Sequence, residues 1–261
     1  MAKITGVVFD WAGTTVDFGC MAPVQAFVDT FKRWQLAVTL DETRAPMGMA
    51  KRDHIETMLN MPRISELFTA AHGRAFTQAD IDEMYQQFEA QLMASLSDYA
   101  APKPHVLDTI KQLQANGLRI GSTTGYNAKM MAVVVAEAAR QGYVPEHWCC
   151  ADHVDGYGRP FPYMIFQNMQ VLGLADVASV IKVGDTASDI AEGKAAGVWT
   201  VGIVEGSSEM GLSEQEWLAC TEAEKAAHRQ RTEAAYKAYG ADFVINDFSG
   251  LTQIVDTLNQ A

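Results

Sequence analysis

Val7-Val8-Phe9-Asp10-Trp11-Ala12-Gly13-Thr14-Thr15 is an apolar, β-rich run that ends at an aspartate and gives way to small, turn-forming residues. Parallel α/β sheets keep their sites at the carboxyl ends of their strands, so such a fold presents a carboxylate nucleophile in this way. The run starts at Ile4, and similar runs recur at Leu118–Ser122, Trp148–Cys150, Val180–Val183, Val198–Val204 and Phe243–Ile245. Helical patterns separate them. Val106, Leu107, Ile110 and Leu113 share a face that stops at Gly117, and Met130, Met131, Val134, Val135 and Ala138 form a stripe closed by Gly142. A third helix starts near Pro162 and stops at Gly173. Strands alternating with helices predict an α/β fold with a mostly parallel sheet covered on both faces.

The segment from Met21 to Tyr99 breaks the alternation and reads as helices only. Val24, Phe27, Val28 and Phe31 lie on one face; Ile81, Met84, Tyr85, Phe88 and Leu92 make another, opened by a capping box at Thr77-x-x-Asp80. The pattern predicts a helical cap over residues 21–99, inserted into a core of residues 1–20 and 100–261, with Pro102 and Pro104 marking the return. Near the end, Ser213-x-x-Glu216 is predicted to cap a polar helix rich in Ala, Glu and Lys.

With 261 residues, 48% of them hydrophobic, the chain can build one substantial domain and a smaller insertion. Its net charge of −12 disfavours nucleic acid or an anionic membrane as partner, while a local site can still take an anionic substrate. Met1-Ala2-Lys3-Ile4 lacks the succession of a signal peptide, and no apolar run approaches the roughly 20 residues of a membrane span. Cys20, Cys149, Cys150 and Cys220 show no C-x-x-C spacing, so a soluble, reducing, cytoplasmic setting is expected. The histidines show no zinc spacing.

Val180-Ile181-Lys182-Val183-Gly184-Asp185-Thr186-Ala187-Ser188-Asp189 is a second strand ending in carboxylates, spaced by four at a strand-to-helix corner. Such a pair suits a hard cation: Mg²⁺ takes oxygen ligands and keeps several waters, so one or two carboxylates suffice. Asp189 also reads as a cap of the following helix. Ile120-Gly121-Ser122-Thr123-Thr124-Gly125-Tyr126 ends a strand with hydroxyls and a glycine, a corner whose backbone N–H groups bind anions; Thr124 and Gly125 are the preferred pair. Arg159, in Gly156-Tyr157-Gly158-Arg159-Pro160, can grip phosphate bidentately. Met47-Gly48-Met49-Ala50-Lys51-Arg52-Asp53-His54 puts Lys51 and His54 three apart, on one face of a helix.

Taken together, D-W-A-G-T-T at Asp10, M-G-x-x-K-x-x-H at Met47 and G-D-T-x-S-D at Gly184 resemble the phosphonatases, a family of the haloacid dehalogenase superfamily. Met61-Pro62-Arg63, Ser122 to Tyr126 and Gly206-Ser207-Ser208-Glu209 fit the same family, so the resemblance spans nearly the whole chain. It implies a Rossmann-like core with Asp10 as nucleophile, and Mg²⁺ held by Asp10, Asp185, the Ala12 carbonyl and Asp189. It further implies Thr124, Gly125 and Arg159 on the phosphoryl group, and Lys51 as a Schiff-base lysine. Cys20, Met47 and Tyr126 match positions around a small phosphonate substrate, and His54 is a candidate proton shuttle. A homodimer is implied as well.

Phosphatases of that superfamily carry a second aspartate, an acid for the leaving oxygen, where this chain has Ala12. An imine makes its absence intelligible, because the P–C bond electrons then depart into an iminium and no acid is needed at that position. The competing reading is a phosphomonoesterase or phosphomutase, which Ala12 argues against; a non-enzymatic binding module would bind ligand without releasing phosphate. Lys51 must be neutral to attack a carbonyl, whereas a free lysine is neutral in only roughly one molecule in 2,500 at pH 7. Burial and the proximity of Arg52 are expected to lower its pKa.

Overall fold

The computed structural model describes residues 3–260. Met1, Ala2 and Ala261, assigned to the core by sequence, lie outside them. Six strands, β1 (Gly6–Phe9), β2 (Arg119–Thr124), β3 (His147–Cys150), β4 (Val180–Gly184), β5 (Trp199–Ile203) and β6 (Phe243–Ile245), form one parallel sheet in the order β3-β2-β1-β4-β5-β6. All were legible as apolar runs because parallel strands are covered on both faces.

Helices α1 (Met21–Arg33), α2 (Leu40–Arg44), α3 (Lys51–Leu59), α4 (Pro62–His72) and α5 (Gln78–Ser95) follow β1 without an intervening strand. The predicted capping box of α5 is formed, Asp80 N–H donating to Thr77 Oγ1 while the Asp80 carboxylate accepts from Thr77 N–H. Phe27 of α1 stacks on Phe88 of α5 at 4.2 Å, and Ile55, Met58, Phe68, Ile81 and Met84 are buried around them. Each such side chain contributes roughly 1.5–3 kcal/mol by burial.

Around the sheet lie α6 (Val106–Ala115), α7 (Ala128–Arg140), α8 (Tyr163–Leu172), α9 (Ala187–Ala196), α10 (Glu214–Ala219), α11 (Glu222–Ala238) and α12 (Leu251–Gln260). One sequence expectation is corrected here. The Ser213–Glu216 box caps only the short α10, and the polar helix α11 starts from its own box, Thr221–Glu224. Two boxes in tandem look locally alike, and the extended backbone at Cys220 between them ends the first helix.

The two passages between sheet and insertion run side by side. Asp17, Gly19 and Cys20 have positive φ on the way out, and Lys103 N–H donates to Thr15 O (2.9 Å) on the way back.

Candidate active site

Asp10 immediately follows β1, and its N–H donates to Val183 O at 3.0 Å. Phe9 pairs in register with Ser122 of β2 on one side and Val183 of β4 on the other. The chain leaves β1 for β2 on one side and reaches β4 on the other, so Asp10 sits at a topological switch point, where open α/β sheets bind ligands. The turn after Asp10 brings Gly13 against Asp185: its φ is +87°, and a Cβ there would lie 2.1 Å from Asp185 Oδ2. Only glycine fits.

A small cavity of about 20 Å³ opens there, lined by Asp10, Ala12, Cys20, Met47, Gly48, Lys51, Thr124, Gly125, Tyr126, Arg159, Asp185 and Thr186. Ten of the twelve residues singled out by sequence thus meet in one place. Gly125 also lets the insertion approach, since a Cβ on it would fall 2.6 Å from Met49 O. His54 and Asp189 stand outside the lining. The His54 ring is sealed behind Lys51, stacked on Phe27 at 3.8 Å, with Nε2 bonded to Thr43 O at 2.9 Å. A carbonyl only accepts, so Nε2 carries the proton and Nδ1 is left without a hydrogen-bond partner. Burial first, then the Lys51 charge, pushes His54 well below the usual range and keeps it neutral. The structure therefore does not bring His54 to the lining of this cavity, where the sequence reading expected it.

One oxygen from each of Asp10, Asp185 and Asp189 lies within 4.8 Å of the other two. Burial raises the Asp10 carboxyl against the pull of Arg159, and the Asp189 charge adds to the rise. Burial, then Asp10 and Asp189, lifts Asp185 well above the carboxylate range. An all-oxygen cluster whose like charges push each other up fits a hard divalent cation. Asp185 is held by Thr14 Oγ1 (2.9 Å) and Ser208 N–H (2.8 Å). Asp189 differs. Its Oδ2 accepts from Thr186 Oγ1 (2.6 Å) as part of the capping box of α9, and its Oδ1 lies 3.1 Å from Arg159 Nη1 and 3.0 Å from Lys182 Nζ. Burial opposes its ionisation, but those two cations and the Thr186 hydroxyl keep it below the usual range. The cap reading of Asp189 is met by the α9 capping box, and its carboxylate also belongs to the acidic cluster.

Arg159 is 4% exposed and donates through Nη2 to Asp10 Oδ1 at 2.6 Å. Lys51 opens α3, buried, with Nζ 5.1 Å from the Tyr126 ring centre and 5.9 Å from that of Phe27. No carboxylate pairs with it among the described residues. Burial lowers its pKa, against the pull of Cys20 and Asp10, and Arg159 adds to the lowering. The first turn of a helix, at the positive end of its dipole, also disfavours an ammonium. Arg52, expected to help, instead points outward to Asp82 (2.8 Å) and Gln78 (2.7 Å).

Sequence reasoning missed Lys182, Glu192 and Lys103. Lys182 and Glu192 are fully buried beside Arg159, and Lys103 Nζ reaches Gly13 O beneath the turn after Asp10. A charged residue inside the apolar run Val180–Val183 was the available signal, since a buried lysine demands partners.

The profile of haloacid dehalogenase-like hydrolases matches residues 4–197. The phosphonoacetaldehyde hydrolase of Lysinibacillus sphaericus is 48% identical, covering 99% of this chain and 96% of that protein. The Klebsiella pneumoniae phosphonoacetaldehyde hydrolase is 42% identical, over 99% and 97%. A crystal structure of a phosphonoacetaldehyde hydrolase-like protein from Oleispira antarctica superposes with a TM-score of 0.96 at 35% identity, covering 99% of this chain and 94% of that one. A β-phosphoglucomutase from Clostridium difficile, 12% identical with a TM-score of 0.68 over 98% of each chain, shares the fold alone. The chain belongs to the haloacid dehalogenase-like hydrolases and, within them, to the phosphonoacetaldehyde hydrolase family.

Proposed function

We propose that the protein hydrolyses the P–C bond of phosphonoacetaldehyde to acetaldehyde and phosphate. Neutral Lys51 attacks the aldehyde and, with loss of water, forms an iminium. Asp10 then attacks phosphorus while the P–C electrons move into the iminium, so carbon leaves as an enamine rather than a carbanion. Protonation of the enamine and hydrolysis of the imine release acetaldehyde and restore Lys51. Water cleaves the aspartyl phosphate. Arg159, Thr124 and the Gly125 amide stabilise charge on the phosphoryl oxygens, with Cys20, Met47 and Tyr126 enclosing the two-carbon end. Asp10, Asp185 and the Ala12 carbonyl would hold Mg²⁺, with Asp189 behind them, and the ion would neutralise phosphoryl charge when bound.

The observation that carries this reading is a buried lysine that pairs with no carboxylate among the described residues and lines the same cavity as a strand-end aspartate. Residues 21–99 act as the cap that delivers Lys51 to a core of 1–20 and 100–261, so turnover includes opening and closing. The four free cysteines support a reducing, cytoplasmic setting. Exposed rings at Tyr157, Phe161, Tyr163 and Phe166 support the homodimer that the family resemblance implies.

The test is acetaldehyde release from phosphonoacetaldehyde with Mg²⁺, comparing the protein with Lys51→Arg. A loss of about 10⁴-fold or more, worth ~5.5 kcal/mol of barrier, is expected. Equal activity in both would remove the imine, and no release from either would return the site to an ester phosphatase or a binding role.

A further inference from the structure

We propose that Glu192, working with Lys182, is a positioning residue for Arg159, aiming its guanidinium at the phosphoryl group on Asp10. This rests on the reading of Asp10 as nucleophile and Arg159 as phosphoryl ligand. Arg159 Nε donates to Glu192 Oε2 at 2.9 Å, while Nη2 donates to Asp10 Oδ1 at 2.6 Å and Thr123 Oγ1 at 2.9 Å. The guanidinium is a rigid planar fork, so fixing Nε sets where the Nη2 edge points.

Lys182 locks the groups that hold Arg159. Its Nζ donates to Thr123 Oγ1 at 2.7 Å and lies 3.1 Å from Glu192 Oε2 and 3.0 Å from Asp189 Oδ1. Thr123 Oγ1 in turn donates to Glu192 Oε2 at 3.0 Å. The hydroxyl thus gives its one proton to Glu192 and accepts from both cations, which uses its full capacity. Glu192 and Asp189 sit one turn apart on α9, both fully buried, and neither Glu192 nor Lys182 lines the cavity. Their effect on the reaction therefore runs through Arg159.

Each partner prevents a specific misplacement. Without Glu192, two buried cations face each other and Nε loses its acceptor, so the fork turns off Asp10. Without Lys182, Asp189 and Glu192 compete with Asp10 for the guanidinium. Buried ion pairs are weak contributors to stability, and orientation is the better account of one this complete.

The test uses Glu192→Ala, Glu192→Gln, Arg159→Ala and the Glu192→Ala/Arg159→Ala double variant. Glu192→Gln removes the charge and keeps the shape, because Glu192 Oε1 has no hydrogen-bond partner and its replacement by NH₂ breaks no bond. The readouts are the Kd of inorganic phosphate by calorimetry, kcat and KM, and the thermal midpoint. Glu192→Ala is expected to weaken phosphate binding and lower kcat by about tenfold or more, with Glu192→Gln recovering part of the loss. In the Arg159→Ala background the same change should add less than about twofold, since the two act as one unit.

Losses that multiply in the double variant would overturn the proposal. So would a lowered midpoint with phosphate affinity and kcat of the folded protein unchanged. If Glu192→Ala does not fold, Glu192→Gln carries the same comparison, and its indifference would be equally fatal. Unchanged phosphate binding in Arg159→Ala would remove the role of Arg159 itself, a failure distinct from that of Glu192 alone.

Discussion

Lys182 and Lys51 are both buried near Asp10, and their surroundings are opposites. Lys182, in the middle of β4, is ringed by Asp189, Glu192 and the Thr123 hydroxyl. Lys51, at the start of α3, faces the rings of Tyr126 and Phe27 and pairs with no carboxylate among the described residues. Burying an ammonium is costly in either place. The sheet side answers with two carboxylates and a hydroxyl. Around Lys51 the cost is left standing and falls on the protonated form, the condition that the proposed attack on a carbonyl requires. The same residue type meets carboxylates in one region and rings in the other, and only the second setting suits the proposed imine chemistry.

Methionine at each position should separate them most widely. Lys182→Met leaves Asp189 and Glu192 without a partner and should cost about 3–5 kcal/mol of stability in urea unfolding. Lys51→Met removes a buried amine that pairs with no carboxylate among the described residues, so its stability should be unchanged or higher. Equal destabilisation by the two substitutions would erase the distinction.

The passage joining the two regions gives a smaller, pH-dependent difference. Asp17 accepts from the N–H groups of Met21 (2.9 Å) and Ala22 (3.1 Å), and burial raises it to about 7, against those bonds and the charges of Arg44 and Lys103. The folded protein holds this proton more tightly than the unfolded chain, whose carboxylate titrates near 3.9. Its stabilising contribution is therefore full below about pH 4 and is lost as pH rises through about 7, by at most ~1.4 kcal/mol per pH unit. Asp17→Asn should flatten that part of the stability-versus-pH curve. A variant with the same slope as the parent would place the titration elsewhere.

The smallest effect is expected at Arg52, adjacent to Lys51 in sequence but turned to Asp82 on the surface. Arg52→Ala should leave kcat and the pH at which Lys51 becomes active within about twofold, and stability within roughly 0.5 kcal/mol. A marked alkaline shift of the kcat/KM profile would return to Arg52 the part that the structure gives to burial and Arg159.

Much of the fold was legible because its signals are local. Apolar runs ending in Asp10 and Asp185 give the strands and their active edge, and Thr77-x-x-Asp80 gives the start of α5. Lys51, Thr124 and Arg159 were found by motif, and the fold brings them to one cavity. The failures are non-local. The partners of Lys182 come from β2 and α9, and nothing in Val180–Val183 announces them. Lys103 lies between the two prolines that mark the return to the core, and its partner, Gly13 O, is ninety residues away in sequence. His54 shares a helix face with Lys51, but Phe27 and Thr43 close it off from the cavity.

Trapping the amine bears most directly on the division between the two lysines. The protein would be incubated with phosphonoacetaldehyde, reduced with borohydride, digested, and its peptides sequenced by mass spectrometry. Reduction of the iminium leaves a 2-phosphonoethyl group on nitrogen, and reduction after P–C cleavage leaves an ethyl group. The account predicts one or both on Lys51, none on Lys182, and none on the protein without substrate. A modified Lys182, or turnover with Lys51 unmodified, would contradict it.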